Sequence, residues 1–449
     1  MAYDSSTGQE GPAYPSPTPT EKGVWDLQQV RDKQLLGTGQ WKYDAPSAPS
    51  GLFTVGSNRD GVLGGNFGPQ FAHRSSPIQV GTDTDWSKVF ENMNSGVMAN
   101  AAMRAEGTLY MWGTNTYGTL GLNEGPGSTA GARSSPTQVP GTNWHELTLI
   151  QGDAEGVMAA KSDGSLWVWG NNQYGTLGLN EKGGHATAQG GSKKKSSPTQ
   201  LGATGAWNIN KFKFSGYHHG AAAIGSNGGY YIWGINSEGR LGQNQAAGNW
   251  GYAPQGLSSP TQVGTEGNWA TVCMGGASGC GGTKTDGTLW NWGGQYRGQA
   301  GQNSRQPDGL SSPCQIPGGN WSVMKGSDVT RMATKTDGTL WSWGYDAHGN
   351  LGLNEEGTGE GRSSPCQVGS PSDIVKWDTD NFVVGANYFT AMKEDGSLWA
   401  CGRNSNGQFG SGDIGQGVSV SSPVQVAGAG TYYALSRTYN TINYLKRDA

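Results

Sequence analysis

Residues 163–180 read DGSLWVWGNNQYGTLGLN, and SSPTQ follows at 196–200. Asp163-Gly164 suits a tight hairpin turn, because both residue types accept the positive φ values that match strand twist. In the next stretch, Ser165–Gly170, apolar and aromatic residues fill both phases of a two-residue alternation. That pattern predicts a short strand buried on both faces. A glycine-rich segment, a loop, the SSP tripeptide, a tryptophan at Trp207 and an apolar strand complete the unit.

The unit recurs along the chain. SSP stands at Ser75, Ser134, Ser196, Ser258, Ser311, Ser363 and Ser421. Irregular spacing about one mean is the mark of a repeat array with loops of variable length. The turn recurs as Asp286-Gly287, Asp337-Gly338 and Asp395-Gly396, with Glu106-Gly107 and Asn227-Gly228 as variants. Fifteen of the 18 tryptophans occupy just two places in the unit, the LWxWG strand and the position after SSP. Aromatics placed once per unit predict packing between units rather than a ligand site. Four short strands repeated radially make a propeller blade. The first unit opens late, at Gly51, and the last stops after TYYALSRTYNTINYL from Thr431, before an LWxWG strand. Joined, the two halves make one unit. The expected fold is therefore all-β: a seven-bladed β-propeller over 51–449, closed by N- and C-terminal strands of one shared blade that leaves no exposed sheet edge.

Composition agrees. Glycine contributes 78 of 449 residues, well above the average of about 7%. Only 14% of residues are charged and the net charge is −4, so no broad basic surface for nucleic acid is expected. No apolar run is long enough to span a bilayer, and no charged-then-apolar leader opens the chain. Five cysteines, none in a CxxC spacing, argue against bridges and metal sites. Cys314 and Cys366 share one place in the unit (SSPCQ), as small, partly buried residues.

The recurring pattern DGxLWxWGxNxxGxLG…SSPxQV…W resembles the regulator of chromosome condensation repeat. The resemblance covers roughly 51–449 and implies a seven-bladed propeller. Its members include exchange factors for a small GTPase, chromatin binders, ubiquitin-ligase appendages and a β-lactamase inhibitor. Of the GxxH signature common in exchange factors, only Gly216-Tyr217-His218-His219 remains, which argues against exchange activity. His218 and His219 are expected to hydrogen-bond at a strand end.

Residues 1–50 belong to no unit. They read as an extended N-terminal arm with Pro-rich linkers at 11–20 and 45–51. A short helix is expected over about Asp26–Leu36, stopped by Gly37. Trp25, Leu27, Val30, Leu35, Leu36 and Trp41 form the candidate anchor. The wording GVWDLQQV…GQW resembles a segment of virion structural proteins of marine tailed bacteriophages. That resemblance implies a protein of a phage particle, assembled in the host cytoplasm, present in several copies and attached through residues 1–50 to other virion proteins.

Units differ most between the glycine-rich segment and SSP, so recognition is expected on those loops. The two longest span Leu179–Lys195 and Gln243–Leu257. Trp250, Tyr252, Lys193, Lys194 and Lys195 are the candidate contacts, with neighbours in an assembly or a host surface. No HExxH, phosphate loop or GxSxG occurs. The turn carboxylates are explained by turn chemistry, and no cofactor or metal is expected. The leading expectation is a non-enzymatic capsid, neck or tail appendage. The alternative is a soluble regulatory binding module, an exchange factor or an enzyme inhibitor.

Overall fold

The structure, a computed structural model, describes residues 50–447 except 57, 59–60, 67–73, 91–98, 125–130, 151–155, 182–192, 218, 246–255, 276–278, 306–308, 328, 356–360, 371–372, 386, 405–408, 410–418, 427–431 and 439–440. The arm, its expected helix and its anchor residues lie outside the described residues, as do Trp250, Tyr252 and His218. Among the described residues there is no α-helix. The strands form seven four-stranded antiparallel sheets.

One sheet shows the pattern. Trp144–Ile150, Gly156–Lys161, Leu166–Gly170 and Lys195–Leu201 pair in that order. The Asp163-Gly164 turn joins the second and third strands. Gly164 takes φ +85°, a conformation glycine adopts at no steric cost. The SSP strand is outermost and carries a register shift at its proline, as an edge position tolerates. Innermost strands of neighbouring sheets lie side by side, from Trp144–Ile150 against Phe214–Tyr217 round to Tyr432–Thr438 against Trp86–Phe90. This is a β-propeller.

The remaining sheet holds both ends of the repeat array, in the order Arg74–Gln79, Ser50–Gly56, Thr441–Arg447, Tyr432–Thr438. Seven residue pairs, from Ser50↔Arg447 to Gly56↔Thr441, join the two ends.

Tryptophan wedges the sheets together. Trp169 is fully buried, and its indole N–H donates to the Thr119 carbonyl of the preceding unit at 2.8 Å. Trp112, Trp233, Trp292 and Trp343 repeat this bond to Val62, Thr176, Arg240 and Gln299 at 2.8–3.1 Å. Gly121 makes room for the wedge: at φ +69°, a Cβ there would sit 2.9 Å from the Trp169 indole nitrogen.

The SSP tripeptide is a clasp between units. The Asn123 amide donates to the Ser196 carbonyl at 2.8 Å, and the Ser197 hydroxyl donates to Asn123 Oδ1 at 2.8 Å. The same pair of bonds joins Asn180 to Ser258 and Ser259, and Asn354 to Ser421 and Ser422. These asparagines take φ of +57° to +59°, where Asn is among the few non-glycine residues found.

Candidate interaction faces

The face that carries the Asp-Gly turns is built from a repeated relay. Asp163 Oδ1 accepts from the Ser165 amide at 2.9 Å and the Ser165 hydroxyl at 2.5 Å, and the Trp167 indole donates to that hydroxyl at 2.7 Å. Asp286–Thr288–Trp290, Asp337–Thr339–Trp341 and Asp395–Ser397–Trp399 repeat it. The hydroxyl bond, then the amide bond, holds the Asp163, Asp286 and Asp395 carboxyls below their ordinary value; at Asp337 the hydroxyl bond leads as well. The turn carboxylates are thus consumed by turn structure.

Beside each relay, a cation lies between two rings. Lys161 Nζ is 4.7 Å from both the Trp144 and Trp167 centroids. Lys284 lies over Trp269 and Trp290, Lys335 over Trp321 and Trp341, Lys393 over Trp377 and Trp399, all at 4.0–5.1 Å. Arg104 does the same over Trp86 and Tyr110 at 5.2 and 4.7 Å. Such contacts contribute about 0.5–2 kcal/mol each.

Near the axis, most inner strands carry a single extra residue after their Trp, as between Trp144 and Glu146. Two carry longer excursions, between Trp207 and Phe214 and between Trp377 and Phe382. These excursions meet. Lys211 Nζ lies 4.0 Å from Asp380 Oδ2, and Phe212, at φ +63°, packs against the core that contains Phe382. Lys325, 3% exposed, points its ammonium at the Phe212 and Phe382 rings and donates to the Phe382 carbonyl at 2.6 Å. Phe212 therefore reaches from its own sheet to side chains two and three sheets further round. No motif announced this; the unusually long NINKFKF run after Trp207 was the available signal.

On the opposite face, contacts again run between units. Lys194 Nζ lies 4.3 Å from the Tyr117 ring. Lys195 opens a strand rather than a loop tip and pairs with Glu181 at 3.3 Å. Of the three candidate lysines, Lys193 is exposed. Tyr174 meets His219 edge-on at 4.9 Å, and Arg297 lies 4.6 Å from the Tyr345 ring. Burial, then the Arg403 charge, lowers the His348 pKa.

Buried ionisable groups are structural in character. The Arg331 guanidinium, 1% exposed, donates to the carbonyls of Ser327, Thr330 and Gly275 at 2.6–3.1 Å. Burial pushes the Cys280 and Cys401 thiols up to about 12, which makes them poor nucleophiles. Cys314 and Cys366 are half-buried, as expected. Among the described residues no cluster of His, Cys, Asp or Glu could hold a metal ion, and no helix is long and apolar enough to cross a membrane.

The regulator of chromosome condensation (RCC1) repeat matches residues 106–151, 163–222, 337–379 and 395–435, and a second form of it matches 381–408. The chain carries RCC1 repeats. Similar proteins include the mitochondrial RCC1 domain-containing protein RUG3 of Arabidopsis thaliana, 25% identical over 80% of this chain and 79% of that one. The ultraviolet-B receptor UVR8 of the same plant is 26% identical over 68% of this chain; the match spans 63% of the receptor's length. Prp20p of Saccharomyces cerevisiae, a protein studied for its binding to Gsp1p and histones, shares the fold. It covers 90% of this chain and 93% of its own at TM-score 0.70 and 16% identity.

Proposed function

We propose that this chain is a non-enzymatic interaction module, a rigid seven-bladed propeller that binds protein partners through its faces. One observation carries the reading: the recurrent polar and aromatic groups are engaged between or within units. The turn aspartates cap their own hairpins, the indoles of Trp112, Trp169, Trp233, Trp292 and Trp343 donate to carbonyls of the preceding unit, and the serines hold the preceding asparagines. No convergent nucleophile, base or metal set remains among the described residues, while sequence variation concentrates on the loops before SSP. The relatives support a regulatory or scaffolding role, since Prp20p is characterised by binding to other proteins.

A finer placement rests on the arm. The wording of residues 21–41 supports attachment to a bacteriophage particle, with residues 1–50 as the tether and the propeller projecting towards neighbours or a host surface. The soluble regulatory form differs in its partner, a single globular protein bound one-to-one. Deletion of residues 1–41 separates them. On the virion reading the full chain co-purifies with particle proteins and the truncated chain does not. Retention of the truncated chain in particles would sink the tether. One-to-one capture of a GTPase with nucleotide release would establish the regulatory form.

A further inference from the structure

The cation between two rings is interrupted in one sheet. By strand register, the residue opposite the post-SSP aromatic is Arg104, Lys161, Lys284, Lys335, Lys393 and Lys446 in six sheets. In the sheet that begins at Phe214 that place is Gly225, opposite Trp207. The ring pair itself is intact. Trp207 and Tyr231 meet at 5.6 Å and 86°, close to the 5.3 Å and 75° of Trp86 and Tyr110, which hold Arg104. The turn has changed with it: Asn227 stands where Asp163 stands elsewhere, and its side-chain amide donates to the Tyr231 hydroxyl at 3.0 Å, fixing the outer wall. Trp207 is 9% exposed, against 2–4% for Trp86, Trp144, Trp269, Trp321 and Trp377. The segments that precede each ring in sequence, Gly202–Gly205 and Ser226–Asn227, are exposed.

We infer that Trp207 and Tyr231 form a docking notch for an alkylammonium group, as a lysine side chain of a protein partner presents. The rings offer the negative π faces that five sister pairs give to their own Lys or Arg, and among the described residues no cation lies over this pair. The inference rests on the interaction reading and deepens it by naming one contact and its chemistry.

The probe is tetramethylammonium, with neopentanol as a neutral counterpart of similar size and sodium chloride as the ionic control. The full chain, labelled with 5-fluorotryptophan, is followed by fluorine NMR, with the 207 signal assigned by Trp207→Phe. A saturable shift of the Trp207 signal is expected with tetramethylammonium and not with neopentanol. Signals of Trp144 and Trp321 should stay in place, because their slots are filled. Gly225→Lys should abolish the shift by supplying the missing ammonium. Since a side chain at 225 meets Asn227 Oδ1 at 2.6 Å and the Tyr231 ring at 2.7 Å, Tyr231→Leu is the second variant; it removes one wall and should weaken the shift at least severalfold. A Trp207 signal that moves no further than those of Trp144 and Trp321, or that responds equally to neopentanol, overturns the notch. The measurement needs no partner, so its failure leaves the interaction module itself to be judged by the arm deletion.

Discussion

The sheet of residues 377–425 offers a sharp test of the wedge. In five of the other sheets a buried tryptophan takes this place and faces a residue other than phenylalanine on the neighbouring strand, as Trp233 faces Ala221 and Trp169 faces Val157. Here Cys401 takes the tryptophan place and faces Phe389, and both are fully buried. The Phe389 ring comes 2.9 Å from the Cβ position of Gly352, as the Trp343 indole comes 3.0 Å from that of Gly301. One wedge has been exchanged for another grown from the adjacent strand. Phe389→Ala should therefore leave a cavity costing about 3–5 kcal/mol. Cys401→Trp should overpack the same space at a cost of about 1–3 kcal/mol or more. Together they should rebuild the common wedge, so the double variant should be more stable than Phe389→Ala alone, with a coupling of about 2 kcal/mol or more. For a unit of Ala48–Ala449, entropy scaling converts this to about 1 °C in melting temperature per kcal/mol. Differential scanning calorimetry on the four proteins reads it. Additive losses would refute the exchange, because then the two positions would not share one volume.

Further outcomes follow from the same contacts. Asn180→Ala should destabilise by about 1–3 kcal/mol, losing the acceptor for the Ser259 hydroxyl and placing alanine in a left-handed conformation; Asn180→Gly should cost less, as calorimetry can compare. The turn aspartates have folded pKa values below their unfolded ones, so their contribution is present above about pH 4 and lost as pH falls through the folded values. Asp163→Asn with Asp395→Asn should flatten the fall in melting temperature below pH 4. Native protein at pH 8 should label with a thiol reagent at Cys314 and Cys366 at most, while the unfolded chain labels at all five cysteines, as intact mass shows.

Turns and wedges were legible because they depend on residues close in sequence. Asp163 holds Ser165 and Ser165 holds Trp167, all within four positions, and the tryptophan period survives any loop length. The clasp was not legible. Asn123 and Ser197 are 74 positions apart, and Asn180 and Ser259 are 79, with a variable loop between. SSP can be counted without its partner being visible, because nothing local to the LN dipeptide that supplies it points to a serine in the next unit. The axial contact of Phe212 was hidden for a related reason: its neighbours Lys325 and Phe382 come from other units, so no local pattern encodes them. The cation slots are equally obscure in sequence, because Lys161 and its counterparts end their strands and no local pattern marks the two rings they meet. The expected contacts divide likewise: Lys194 and Lys195 are tied to Tyr117 and Glu181, which leaves Lys193 as the lysine turned outward.

The sheet shared by both ends has a mechanical meaning. Tension applied at residue 50 runs along a strand whose partners, Thr441–Arg447, are antiparallel to it and joined by seven residue pairs. Load in that direction shears the pairs together instead of opening them one by one. A propeller closed in this way would hold its seam under pull along the strand, and would come apart far more readily if force peeled the strand sideways from Gly56.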